Sequence, residues 1–186
     1  TEFYFGGDPN QKNSHWKGFI KKEQLLVDKE FFQSLTNKKI CWGFVSGAER
    51  PSAKFVLETR IGLKDPPLIS MGDAPEKPDP TGLLMLTKQL IDIHNCKTYN
   101  LPVFYLGDTV ADVLTVINAR KKSPKQNFIS VGISPPHLLS SGSRSDLTRY
   151  EESLMKAGAN FIIRSTCEIK ETVENYLINP SNNDSI

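Results

Sequence analysis

Apolar positions along this chain change their spacing in a regular alternation. In "VDKEFFQSLTNKK" (27–39) they recur at helical intervals, and Asp28 is placed to cap the helix. "ICWGFVS" (40–46) is a short apolar run rich in strand formers. "ERPSAKFVLETR" (49–60) sets Ala53, Val56 and Leu57 on one helical stripe, with Gly62 as a stop. "PPLISM" (66–71) is a weak strand. "DPTGLLMLTKQLIDIHN" (79–95) is a helix with Asp79 as cap and Pro80 at its first position. Strand 102–106, helix 109–122, strand 127–132, helix 145–157, strand 160–164 and helix 167–178 complete the series. Repeated βα units with near-continuous apolar strands predict a parallel sheet covered on both faces. Residues 1–27 show no clear period, 134–146 form a Ser/Pro/Gly-rich loop, and 179–186 a polar, frayed tail.

Composition narrows the picture. A chain of 186 residues with 38% hydrophobic and 24% charged positions is an ordinary globular domain with a sizeable core. Its net charge of +2, from 23 basic and 21 acidic residues, argues for neither a nucleic-acid nor a membrane partner. No run approaches the ~18–20 apolar residues of a membrane span. Cys41, Cys96 and Cys167 are scattered without a CxxC pair, as expected for free thiols in a reducing cytosol.

Ligands of open parallel sheets bind at the carboxyl ends of the strands, and three polar clusters fall there. Ser46-Gly47 follows the strand at 40–45, and its hydroxyl and small Gly suit close approach to an anion. Lys77 precedes the helix near Pro80 and is a compact charge for a phosphate or carboxylate. Asp108 and Asp112 follow the strand at 102–106 and are hard oxygen ligands suited to Mg²⁺. Together they make an anion site beside a divalent cation, as phosphoryl transfer requires. Each cluster also has a plain structural reading. Asp108 can cap the helix starting at Thr109, Asp112 can favour its dipole, Ser46 can cap the next helix, and Lys77 can be a solvated loop residue. His15, His94 and His137 read as surface residues, Trp16 and Phe19 as packing groups, and the basic run at 119–125 as a helix C-terminus.

"FVSGAER", "EKPDP" and "YLGDTVAD" resemble, in order and spacing, motifs two, three and four of the haloacid dehalogenase-like hydrolases. The likeness covers roughly residues 28–178 and is nearest to the phosphoglycolate-phosphatase-like subfamily (subfamily IA), whose cap lies between motifs one and two. It implies a Rossmann-like three-layer α/β/α sandwich. It also implies a Mg²⁺-dependent phosphatase acting on a small phosphorylated metabolite in the cytoplasm through an aspartyl-phosphate. In that scheme Ser46 and the Gly47 amide hydrogen-bond the phosphoryl group. Lys77 neutralises its charge, Asp108 binds Mg²⁺ and Asp112 supports it. Glu76 departs from the family pattern, which often has Gly before the Lys.

The resemblance lacks its first motif. No apolar strand ending in D-x-D precedes Ser46. Asp8, in "FYFGGDPNQ", has Asn10 where the second Asp belongs. With Thr as the first residue, the expectation is an N-terminal truncation that removes the nucleophile, the acid/base and the first central strand. Residues 1–27 are then a cap remnant and linker, 28–178 the core. Such a fragment is inactive alone and leaves a vacant slot in its sheet, or a non-family pairing across it. The rival expectation is a non-catalytic protein of the same fold that binds a phosphorylated ligand or a protein partner. A nucleotide-binding Rossmann domain is disfavoured because no GxGxxG follows a strand. A dehalogenase is disfavoured because it has no need of the two carboxylates. The phosphatase reading expects Ser46, Lys77 and the acidic pair at one rim.

Overall fold

The structure, a computed structural model, describes residues 2–8, 11, 15–96, 101–140 and 144–178. The tail at 179–186, Asn10 and part of the 134–146 loop lie outside them. The chain divides into two compact units, one of residues 1–76 with 81–95, the other of 77–80 with 96–186. Residues of 1–27 belong to the first unit, and both units draw on the stretch 28–178.

In the first unit, α1 (Glu2–Phe5) and a 3₁₀ turn at Phe19–Lys21 precede α2 (Lys29–Asn37). Asp28 caps α2 as its sequence predicts, its Oδ1 accepting from the Phe31 amide at 2.9 Å. Strands β1 (Phe44–Val45) and β2 (Leu68–Ile69) pair in parallel, Phe44 opposite Leu68. Between them α3 (Arg50–Lys54) continues as a π-helix over Phe55–Arg60, and Gly62, at φ 84°, ends it in the left-handed region. Helix α4 (Thr81–His94) closes the unit. Alternation along β1 divides its contacts: Phe44 meets Phe32 of α2, ring centroids 5.5 Å apart, while Val45 lies against Gly82 of α4.

Both strands are shorter than the expected 40–46 and 66–71. Pro66 and Pro67 have no N–H to give a neighbouring strand, so the ladder cannot extend toward the amino end of β2. Trp16 is buried against Phe5 and Phe55, and Ile20 completes that cluster. Phe19, by contrast, is 43% exposed.

In the second unit, β3 (Val103–Gly107), β4 (Phe128–Ile133) and β5 (Phe161–Ile163) form one parallel sheet in that order. Helices α5 (Val110–Lys122) and α7 (Arg144–Ala157) pack on one face through Val113 and Leu154, joined by Ala159 just past α7, all buried. Helix α8 (Ile169–Ile178) covers the other, where Tyr176 meets Phe104 and Phe161 edge-on. The sandwich has the three layers that the βα pattern predicts. The expected loop at 134–146 contains a short helix, α6 (Pro136–Ser140).

The sheet edges differ. β4 is buried along nearly its whole length, whereas β3 and β1 are mostly half-buried despite their apolar sequences. Among the described residues β1 pairs only with β2, and β3 only with β4, so each has one unpaired edge. The outer edge of β2 is occupied. The Phe44 and Ser46 amides donate to Pro67 and Ile69, which turns Leu68 and Ser70 outward. There Arg50 donates to the Leu68 carbonyl at 3.5 Å, and Asp73 accepts from the Ser70 amide at 2.7 Å. Arg50 and Asp73 pair at 2.6 Å, so a charged clasp spans the edge.

Candidate functional site

Beyond the end of β3 the chain runs Gly107, Asp108, Thr109 and enters α5. The N-cap is Thr109, not Asp108. Thr109 Oγ1 accepts from the Asp112 amide at 3.2 Å, and Asp112 Oδ2 accepts from the Thr109 amide at 3.1 Å, a reciprocal capping box. Thr109 Oγ1 also donates to Oδ2 at 2.6 Å. The other carboxylate oxygen, Oδ1, accepts from Lys77 Nζ at 2.7 Å and from the Tyr105 hydroxyl at 3.3 Å. Asp112 is only 4% exposed. A buried carboxylate is costly unless paired and hydrogen-bonded, and here each oxygen receives two donors. Its acceptor positions are filled without a metal.

Burial, and after it the charge of Asp112, pushes the Tyr105 phenol far above its ordinary value. Tyr105 therefore remains a proton donor to Asp112 across the physiological range. Lys77 is held in place by the Asp112 pair, with its ammonium partly open to solvent.

Asp108 is the complement of Asp112. It is exposed, and no hydrogen bond or ion pair engages its carboxylate among the described residues. Its backbone carbonyl accepts from the Tyr150 hydroxyl of α7. Among the described residues no group of three His, Cys, Asp or Glu side chains could cage a metal. Asp108 is thus an exposed hard-oxygen donor of the kind that Mg²⁺ takes one or two of while keeping several waters.

Ser46 and Gly47 stand at the carboxyl end of β1, in the first unit. Ser46 Oγ accepts from the Ala48 amide at 3.1 Å, a local turn bond. A side chain built on Gly47 would meet nothing within 4 Å, so the backbone there is open to approach. Of the residues singled out by sequence, the structure brings Lys77 and Asp112 into contact and leaves Asp108 exposed on the same strand-to-helix turn. His15, His94 and His137 are all exposed.

Sequence reasoning passed over three participants. Thr109 was legible, because Thr-x-x-Asp ahead of an apolar helix is a capping-box signature. Tyr105 left a fainter signal, a phenol in a buried strand that needs a hydroxyl partner. Tyr150 left none, since it lies 42 residues from Asp108.

No protein-family model matches the sequence, and no curated protein matches it. The fold matches a solved phosphonoacetaldehyde hydrolase-like protein from Oleispira antarctica with a TM-score of 0.64 at 18% identity. The match covers 84% of this chain, which spans 58% of the length of that neighbour. A second solved structure matches at TM-score 0.55 and 12% identity over 90% of each chain. At these identities the likeness is one of fold: a Rossmann-like α/β architecture of parallel strands flanked by helices.

Proposed function

We propose that this chain is most of the α/β core of a haloacid dehalogenase-like, Mg²⁺-dependent phosphatase of the phosphoglycolate-phosphatase-like kind. The observation that carries the reading is the turn after β3. There an exposed Asp108 sits beside a buried Asp112 that orients Lys77 at 2.7 Å. This separates two tasks between two carboxylates. Asp108 is the residue to hold the cation, and Asp112 is the fixed counter-charge that restrains Lys77. Lys77 is the charge to neutralise a phosphate oxygen, and the Ser46 hydroxyl and Gly47 amide are the donors that the motif resemblance assigns to a phosphoryl group. Bound Mg²⁺ supplies further neutralisation of phosphate charge. Sharing of the fold with a hydrolase-like protein is consistent with this reading.

The nucleophile and the acid/base belong, in this proposal, to a D-x-D strand outside the sequence. The half-buried β3 and β1, each with an unpaired edge among the described residues, support that assignment. The substrate is a small phosphate monoester, the setting the cytoplasm.

The test is phosphate release from p-nitrophenyl phosphate by the protein joined to an upstream D-x-D segment. Release should require Mg²⁺ and fall on the order of 100-fold in Lys77→Met, the scale of losing one charge-stabilising donor. A folded protein that carries the D-x-D pair and releases no phosphate overturns the reading. A native upstream sequence without that pair favours the non-catalytic, ligand-binding alternative instead.

A further inference from the structure

Tyr150 and Glu151, neighbours on α7, reach the carboxyl ends of all three strands of the second unit. The Tyr150 hydroxyl donates to the Asp108 carbonyl, just past β3. Glu151 Oε1 accepts from the Ser134 hydroxyl, just past β4, at 2.8 Å. The same carboxylate takes Arg164, just past β5, as a fork, with Nε at 2.8 Å and the terminal nitrogen at 3.0 Å. Ser134 is 1% exposed, so the Glu151 contact is seated in the core rather than laid on the surface. Helix α7 is thereby fixed in register against the sheet ends.

The Tyr150 bond acts on one peptide plane. The carbonyl of Asp108 and the amide of Thr109 belong to the same rigid unit. Tyr150 holds the carbonyl end, and Asp112 Oδ2 holds the amide end at 3.1 Å. The Asp108 carbonyl precedes the N-cap and has no place in the helical ladder of α5, so nothing in the helix itself fixes it. With both ends held, rotation of the plane is blocked, and so are the ψ of Asp108 and the φ of Thr109. The Cα–Cβ direction of Asp108 is then set by the backbone, which leaves its carboxylate only the arc that the side-chain rotamers sweep.

We propose that Tyr150 is a positioning residue that fixes the Asp108–Thr109 peptide plane and thereby the Cα–Cβ vector from which the Asp108 carboxylate reaches its cation. The role rests on the assignment of Asp108 as the metal-holding carboxylate. Tyr150 does not touch the cation, and its ring alone is not enough; the hydroxyl is the working group.

The test uses the whole chain in three forms: unaltered, Tyr150→Phe and Asp108→Asn. Without metal, hydrogen exchange at the Thr109 amide should quicken about tenfold in Tyr150→Phe, the size of one net hydrogen bond. The Leu154 amide, within α7, should be unchanged, which shows that the helix stays folded. With Mn²⁺ as the probe, read by electron paramagnetic resonance, Tyr150→Phe should bind about fivefold more weakly at the same stoichiometry. Asp108→Asn should not bind. Unaltered exchange at Thr109 in Tyr150→Phe overturns the positioning role. Faster exchange with unaltered Mn²⁺ affinity overturns its bearing on the cation. If the unaltered chain and Asp108→Asn treat Mn²⁺ alike, the metal assignment of Asp108 fails and the bearing of Tyr150 on a cation falls with it. The exchange result then stands apart as the measure of the peptide plane.

Discussion

Gly107 and Asp112 share one small volume. A Cβ built on residue 107 would lie 2.7 Å from Asp112 Oδ2 and closer still to the Cβ and Cγ of that residue. The glycine is required by close approach, because β3 must end where the carboxylate turns back over it. Gly107→Ala should therefore push Asp112 out of its box and destabilise the protein by about 1–3 kcal/mol, the usual cost of overpacking. Urea denaturation monitored by circular dichroism checks this. An unchanged midpoint would show that the turn can yield without loss.

Asp112 itself is expected to matter for folding whatever the protein's activity. Asp112→Ala leaves the Tyr105 hydroxyl buried without its acceptor, about 1–3 kcal/mol, and removes the side-chain half of the capping box, about 1 kcal/mol, while Thr109 Oγ1 still accepts from the backbone amide. A loss of about 3 kcal/mol is the expected sum, read from the denaturation midpoint at constant slope. Asp112→Asn keeps an acceptor for Tyr105 or for the cap and should lose less. Equal losses for the two variants would contradict the four-donor arrangement.

The clasp on β2 predicts an acid limb. The Ser70 hydroxyl, then the Ser70 amide, and to a smaller extent Arg50 hold the Asp73 carboxyl down to about 2, against an ordinary 3.8. A depressed carboxyl stabilises the fold above its unfolded value and loses that contribution as pH falls through its folded one. The contribution of Asp73 should thus be complete above about 3.8 and fade toward about 2. Carbon-detected titration of the carboxyl by NMR measures it. Ser70→Ala should raise the midpoint more than Arg50→Ala does, and the reverse order would overturn the assignment of cause.

Much of the fold could be read from local pattern, and the gaps have identifiable causes. Asp28 capping α2 and the strand of 102–106 followed by a helix are consequences of neighbouring residues, so the sequence carries them whole. The brevity of β1 depends on its partner: Pro66 and Pro67 deny it a longer ladder, a constraint visible only once the two strands are known to pair. Conversion of the 49–60 helix to a π-helix over Phe55–Arg60 accompanies packing of Phe55 on Trp16, 39 positions away in sequence, and no local period encodes it. At the site, Asp108 and Asp112 look alike as letters four apart. Their difference in burial comes from Lys77 and Tyr105, and the hold on the Asp108 carbonyl comes from Tyr150. Pairings that cross 35 and 42 residues are set by topology.

The Arg50–Asp73 clasp also bears on how this protein behaves at high concentration. A strand whose Leu68 carbonyl and Ser70 amide are already taken, and whose amino end is Pro66-Pro67, is a poor template for a fibril. Self-association by strand stacking, where it arises, will begin elsewhere than on β2.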